Sequence, residues 1–251
     1  MGRVFAALEK SEKLPKVRPP VNEAMEVAHS FELFKEPPQL GLVEFPSEPF
    51  EKMKATLISL YRHEDIKTVL LVGTDHGGGC STTAIGLASS LAKGLFQKVL
   101  LIDANLRTPD LHNRFRLEKS EQKFDLSNAG DSGSAGLKKA GYGNLFITTC
   151  ACSTPTPVEI LASSKFGDFL QNARTQFDFI LIDGSPIPRF SDSLLLARQV
   201  DGVVVVVEAG KTSRQVALAA KQALENAGAR ILGVVLNKRN YFIPGWLYKR
   251  L

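Results

Sequence analysis

The sequence predicts an α/β fold, a mostly parallel sheet with helices on both faces, and three observations carry that expectation. Strand-length apolar runs alternate with segments whose apolar residues recur at helical spacing. The runs are rich in Val, Ile and Leu without interruption, as strands buried on both faces must be: Val69-Leu70-Leu71-Val72, Val99-Leu100-Leu101-Ile102 and Phe179-Ile180-Leu181-Ile182. A glycine-rich turn joins the first run to the helix behind it.

Each element follows from its residues. Residues 50–63 place Phe50, Met53, Leu57, Ile58 and Tyr61 at helical spacing, giving a helix that leads into the first strand. Strands and helices then alternate at 68–73, 82–93, 98–103, 145–149, 158–162, 165–173, 179–183, 191–198, 202–209, 213–227 and 230–236. Residues 82–93 are helical by Ala84, Leu87, Ala88 and Leu91. Residues 118–143, rich in Ser, Gly, Lys and Asp, read as the least ordered interior part. Ahead of the α/β domain at 50–240 stand an amphipathic helix at 1–13, with Val4, Phe5 and Leu8 on one side, and a linker at 14–49 holding seven of the thirteen prolines. A tail at 241–251 follows. There Lys238, Arg239, Lys249 and Arg250 flank Tyr241, Phe242, Ile243, Trp246, Leu247 and Tyr248, a pattern suited to an interfacial anchor, a docking segment or simple packing on the core.

Composition narrows the function classes. At 251 residues, 44% hydrophobic and 23% charged, the chain has an ordinary globular balance and room for one substantial core. No apolar run approaches the roughly 20 residues that span a bilayer, so a cytoplasmic location is expected. Cys80, Cys150 and Cys152 are too few and too close for a disulfide framework. A net charge of +5 is too scattered to indicate nucleic acid, and no nucleic-acid partner is expected.

The chemistry gathers at three segments. Gly73-Thr74-Asp75-His76-Gly77-Gly78-Gly79-Cys80-Ser81-Thr82-Thr83 has the form of a phosphate-binding loop between strand and helix. Gly77, Gly78 and Gly79 let backbone N–H groups turn inward around an anion, Ser81 offers a hydroxyl to Mg²⁺, and the helix beginning at Thr82 adds its dipole. Cys80 occupies the place of the lysine that bridges phosphates in such loops. Asp103 and Asp183 each end an apolar strand, and strand carboxyl ends are where ligands collect in parallel sheets. Either carboxylate there is suited to Mg²⁺. Arg107 and Arg189 follow the two strands and are candidates for a substitute cation, against the plainer reading of solvated loop arginines. Cys80 admits two readings, a small buried replacement or a thiol activated by the helix N-terminus. His76 with Cys80 makes only a thin zinc pair.

Taken in order, the glycine loop with Ser81-Thr82-Thr83, then Leu101-Ile102-Asp103-Ala104-Asn105-Leu106-Arg107-Thr108-Pro109, then Phe179-Ile180-Leu181-Ile182-Asp183-Gly184-Ser185-Pro186 resembles the bacterial protein-tyrosine autokinases of capsule and exopolysaccharide synthesis. These are relatives of the partitioning and division-site ATPases. The resemblance extends over residues 66–240, through Thr156-Pro157-Val158-Glu159, Ser191-Asp192, Val200-Asp201-Gly202 and Leu232-Gly233-Val234-Val235-Leu236-Asn237. It implies ATP and Mg²⁺ as cofactors, held by Gly77, Gly78, Gly79, Cys80, Ser81, Thr82 and the base-contacting position Asn237, with Ser81 and Asp103 on the metal. It further implies Asp103 and Asp183 as catalytic carboxylates, Tyr241 and Tyr248 as phosphoacceptors, homo-oligomer formation, and an inner-membrane polysaccharide chain-length or export protein as partner. The chain would then lie peripheral to the inner membrane through that partner, with a further contact through its C-terminal tail.

Several positions depart from the family pattern. Besides Cys80, Asn105 replaces a second aspartate. The ring-assembly motif Glu-x-x-Arg-x-x-Arg aligns with Glu48-Pro49-Phe50-Glu51-Lys52-Met53-Lys54, putting Glu51 at its first arginine. The expectation is therefore a degenerate member that acts by binding. An active ATP-dependent tyrosine autokinase and a partitioning-type spatial regulator are the alternatives.

Overall fold

A computed structural model of the chain describes residues 47–93, 97–117, 137–140, 143–149, 156–187 and 189–239. The expectations for residues 1–46 and 241–251, including Tyr241 and Tyr248, lie outside the described residues, as do Cys150 and Cys152.

In chain order the elements are α1 (Ser47–Glu64), β1 (Thr68–Gly73), α2 (Cys80–Ala92), β2 (Val99–Asp103), α3 (Leu111–Arg114), β3 (Lys138–Lys139), β4 (Leu145–Thr148), α4 (Pro157–Leu161), α5 (Ser164–Gln176), β5 (Phe179–Asp183), α6 (Asp192–Leu196), β6 (Gly202–Glu208), α7 (Arg214–Asn226) and β7 (Ile231–Asn237). They form one seven-stranded sheet in the order β3-β4-β2-β5-β1-β6-β7. Every pairing is parallel except β3 with β4, so the mostly parallel sheet read from the sequence is the fold observed.

Burial explains why the strands lack alternation. β1, β2 and β5 are buried at every residue. Val69, Leu71, Val99, Leu101, Phe179 and Leu181 join a core with Leu57 of α1 and Ala84, Leu87, Ala88 and Leu91 of α2. Leu70, Leu100 and Ile180, equally enclosed, alternate with them and face the opposite side of the sheet. α1 approaches α2 closely because Gly86 carries no side chain: a Cβ there would collide with the Phe50 ring. α5 and α7 begin with serine caps, Ser163 accepting from the Phe166 N–H at 3.2 Å and Ser213 from the Val216 N–H at 3.3 Å.

The structure departs from the sequence reading at particular elements. α1 starts at Ser47 rather than at Phe50. β3, a two-residue antiparallel edge, falls inside the stretch read as least ordered, and α3 was not anticipated at all.

Candidate functional site

The topology puts the carboxyl ends of β1, β2, β5 and β6 side by side, and the glycine loop leaves the sheet there. Unlike α5 and α7, α2 begins at Gly79 with no side-chain cap, and its amides have no such partner to compete with an anion. Gly77 and Gly79 hold left-handed backbone at φ 79° and 89°. Gly79 is also confined sterically, since a Cβ there would run into the Asn237 amide. Asn237, at the end of β7, donates from Nδ2 to the Gly78 carbonyl at 3.0 Å. The loop is thus braced from behind by the residue that sequence resemblance placed against a base. A cavity of about 590 Å³ opens in front, lined by Asp75 through Thr82, Asn105, Thr108, Pro109, Asp110, Arg114, Gly184, Pro186 and Lys238.

Asp103 and Asp183 are register partners on β2 and β5, so the two carboxylates stand on adjacent strands beneath the loop. Both are almost completely buried, at 3% and 2% exposure. They nevertheless differ in what they face. Asp103 accepts backbone N–H groups from Asn105 at 3.2 Å, Asp110 at 3.2 Å and Leu111 at 3.1 Å, which fixes the turn after β2 and starts α3. Asp183 lies against the Ser81 hydroxyl and the Cys80 thiol. Its Oδ1 is buried with no hydrogen-bond partner among the described residues. Burial, and then the charge of its neighbour, pushes Asp103 up to about 8. Burial likewise raises Asp183, to about 6, against the lowering effect of the Ser81 and Cys80 contacts. A positive charge acts on the pair from Arg114, which lowers Asp183 and offsets only part of the effect of burial.

The cysteine does not provide one. Burial, and then the proximity of Asp183, raises the Cys80 thiol well above its ordinary range. That favours the plain replacement over the activated thiol, because a thiol is nucleophilic only as thiolate. The zinc pair fails too: among the described residues no group of three or more His, Cys, Asp and Glu is arranged for a metal.

Nor do Arg107 and Arg189 enter the cavity. Arg107 donates through Nε and Nη2 to Asp192 at 2.6 and 3.1 Å and stacks on the Phe190 ring at 4.7 Å. Arg189 lies over the same ring at 5.4 Å. The buried carboxylate of Asp192, 85 residues away in sequence, draws Arg107 aside. Among the described residues, the cations that do line the cavity are Arg114 and Lys238, neither of which the sequence reading put at the site. Arg114 donates to Asp110 at 2.6 Å and to the Thr82 hydroxyl at 3.2 Å. Lys238 turns back over the loop to the Gly77 carbonyl at 2.6 Å. Its adjacency to Asn237 was the available signal. Asn105 lines the cavity and accepts from Ser185 at 3.0 Å, tying the turn after β2 to the turn after β5.

The residues fit a magnesium nucleotide by their own chemistry: an uncapped helix start, an unpartnered buried carboxylate oxygen beside the Ser81 hydroxyl, and two buried carboxyl groups held above their ordinary range that a divalent cation would return to the ionised form. The ring-assembly positions show a different pattern. Glu51 accepts from the Ser90 hydroxyl on α2 at 2.7 Å and pairs with Lys54 at 3.4 Å, within the chain.

No family model matches the chain. The tyrosine-protein kinase YwqD of Bacillus subtilis is 30% identical over 191 residues, 76% of this chain and 80% of its own length. The tyrosine-protein kinase CpsD of Streptococcus pneumoniae is 31% identical over 180 residues, 70% and 77% of the two chains. Among solved structures, the VpsO kinase domain matches with a TM-score of 0.67 and 33% identity, over 77% of this chain and 97% of that one. At 17% identity and a TM-score of 0.55, the septum site-determining protein MinD of Pyrococcus horikoshii shares the fold. On the ordered motifs, the sheet and these matches, the chain belongs to the family of bacterial capsule tyrosine-protein kinases.

Proposed function

We propose that this chain is a binding member of the capsule tyrosine-kinase family, holding a magnesium nucleotide weakly and transferring no phosphate. The observation that carries the reading is Cys80. At the position where the loop's cation belongs stands a half-buried thiol, held in its neutral form against a carboxylate. A positive charge there acts most strongly on charge that develops during transfer, so its loss costs catalysis more than binding.

Binding survives on what remains. The amides of Gly77 through Thr82 and the start of α2 receive phosphate oxygens. Ser81 and Asp183 hold Mg²⁺, which supplies countercharge to both phosphate and carboxylates. Of the two strand-end carboxylates, Asp183 has the unpartnered oxygen, while Asp103 is engaged by three amides and shapes the turn. Asn237 positions the loop from the far side. The nucleotide state would be read by an inner-membrane polysaccharide chain-length or export protein, reached through residues 1–13 or 241–251. Among the described residues no helix is long and apolar enough to cross a membrane.

Active autokinase function is the second reading, favoured by the presence of Arg114 and Lys238 in the cavity. One experiment separates the two. The purified full chain, incubated with ATP and Mg²⁺, is expected to gain no phosphotyrosine by mass spectrometry. Phosphate on Tyr241 or Tyr248, abolished by Asp183→Ala, would establish the kinase reading instead.

A further inference from the structure

We propose that Lys238 replaces the missing loop lysine as the cation that meets the nucleotide's phosphates, reaching them from the end of β7 rather than from within the loop. The inference rests on the nucleotide reading above. Three features of the structure carry it.

The first is position. Lys238 Nζ lies 2.6 Å from the Gly77 carbonyl, and its Cε lies 4.0 Å from where a Cβ on Gly79 would stand. The side chain therefore crosses the glycine segment that wraps an anion, and it lines the same cavity as Ser81 and Thr82. The second is backbone. Lys238 holds φ at 54°, in the left-handed region that favours glycine over a residue with a side chain. That strained turn aims the side chain back across the loop instead of onward along the strand direction. The third is charge. Glu208 pairs with Lys238 at 3.2 Å and with Lys211 at 3.3 Å, so one carboxylate is shared by two ammonium groups and does not neutralise both. Arg114, the other cavity cation, is committed to Asp110 and the Thr82 hydroxyl.

The left-handed backbone makes a clean test available. Lys238→Gly removes the ammonium while relaxing the turn, so loss of binding is separated from loss of fold. Titration calorimetry of the full chain with MgATP is expected to show about five- to tenfold weaker binding for Lys238→Gly, the range for a charge-assisted contact that stays partly in water. The melting temperature of that variant should not fall by more than the loss of one exposed ion pair. Lys238→Arg should bind within about twofold of the wild type, since charge and reach are kept. Glu208→Gln should bind more tightly, because the ammonium loses its competing partner. The wild type should also lose affinity more steeply with added KCl than Lys238→Gly does. Wild-type binding that is unaltered by Lys238→Gly, with an unchanged salt dependence, overturns this inference alone. Absence of MgATP binding to the wild type overturns the nucleotide reading and this inference together.

Discussion

Replacing Cys80 with lysine returns a cation to the place where the loop lacks one, and the structure fixes what it should do. The thiol lies against Asp183, whose Oδ1 has no partner, so an ammonium arriving there meets a carboxylate as well as any phosphate in the cavity. Space is not limiting, because the loop opens onto a cavity of about 590 Å³. One charge-assisted contact contributes about 1.5–3 kcal/mol, which corresponds to about 10- to 100-fold in dissociation constant. Titration calorimetry with MgATP should show Cys80→Lys tighter by that factor. The apo protein should change as well: a positive charge between the carboxylates and solvent favours their ionised forms and pulls both back toward the ordinary range. Affinity unchanged or weakened in a variant that folds normally would refute the reasoning, since the cavity would then be limited by something other than charge.

Three further outcomes follow from the same geometry. The raised carboxyls of Asp103 and Asp183 bind protons more tightly folded than unfolded, so their contribution to stability is full below about pH 4 and is lost as pH rises through about 6 and then about 8; denaturant melts of the apo protein should show this decline, at most about 1.4 kcal/mol per pH unit for each group, and Mg²⁺ should reduce it. Arg114 and Asp110 also face the pair and should leave the window in place, because Asp103 and Asp183 are the buried groups. Gly79→Ala should destabilise the loop by about 1–2 kcal/mol from its φ of 89° alone and more from the Asn237 collision, so thermal melts should find the substitution milder in an Asn237→Ala background. Arg107→Leu should lower the melting temperature by stranding Asp192, which is 1% exposed, whereas Asp192→Asn should lower it less because Arg107 is 34% exposed and keeps its Phe190 contact; equal melting temperatures for the two would contradict the assignment.

Most of the fold was legible because its strands are buried on both faces, and that burial writes itself as unbroken runs such as Val69 to Val72 and Phe179 to Ile182. Elements held by distant contacts were not legible. α3 is too short to show a period and begins where Asp103 accepts the Asp110 and Leu111 amides. β3 has two residues and exists by pairing with Phe146 and Ile147. The site divides in the same way. The glycine loop and the two aspartates are local motifs whose convergence follows from a parallel sheet, and the structure brings them together. Which cations reach them is decided by tertiary partners. Arg107 follows the second strand in sequence, but the buried carboxylate of Asp192, far away in the chain, holds it aside. Lys238 read as part of a basic tail, and only its left-handed turn puts it on the loop.

Titration calorimetry of the 251-residue chain with ATP, in the presence and absence of Mg²⁺, tests the binding-only nucleotide site most directly. Amide donors and Ser81 without a loop lysine predict a dissociation constant of about micromolar or weaker with Mg²⁺ and no measurable binding without it, since the metal is then missing as countercharge to the phosphates. Nanomolar affinity for metal-free ATP, or no heat at all with MgATP, would contradict it.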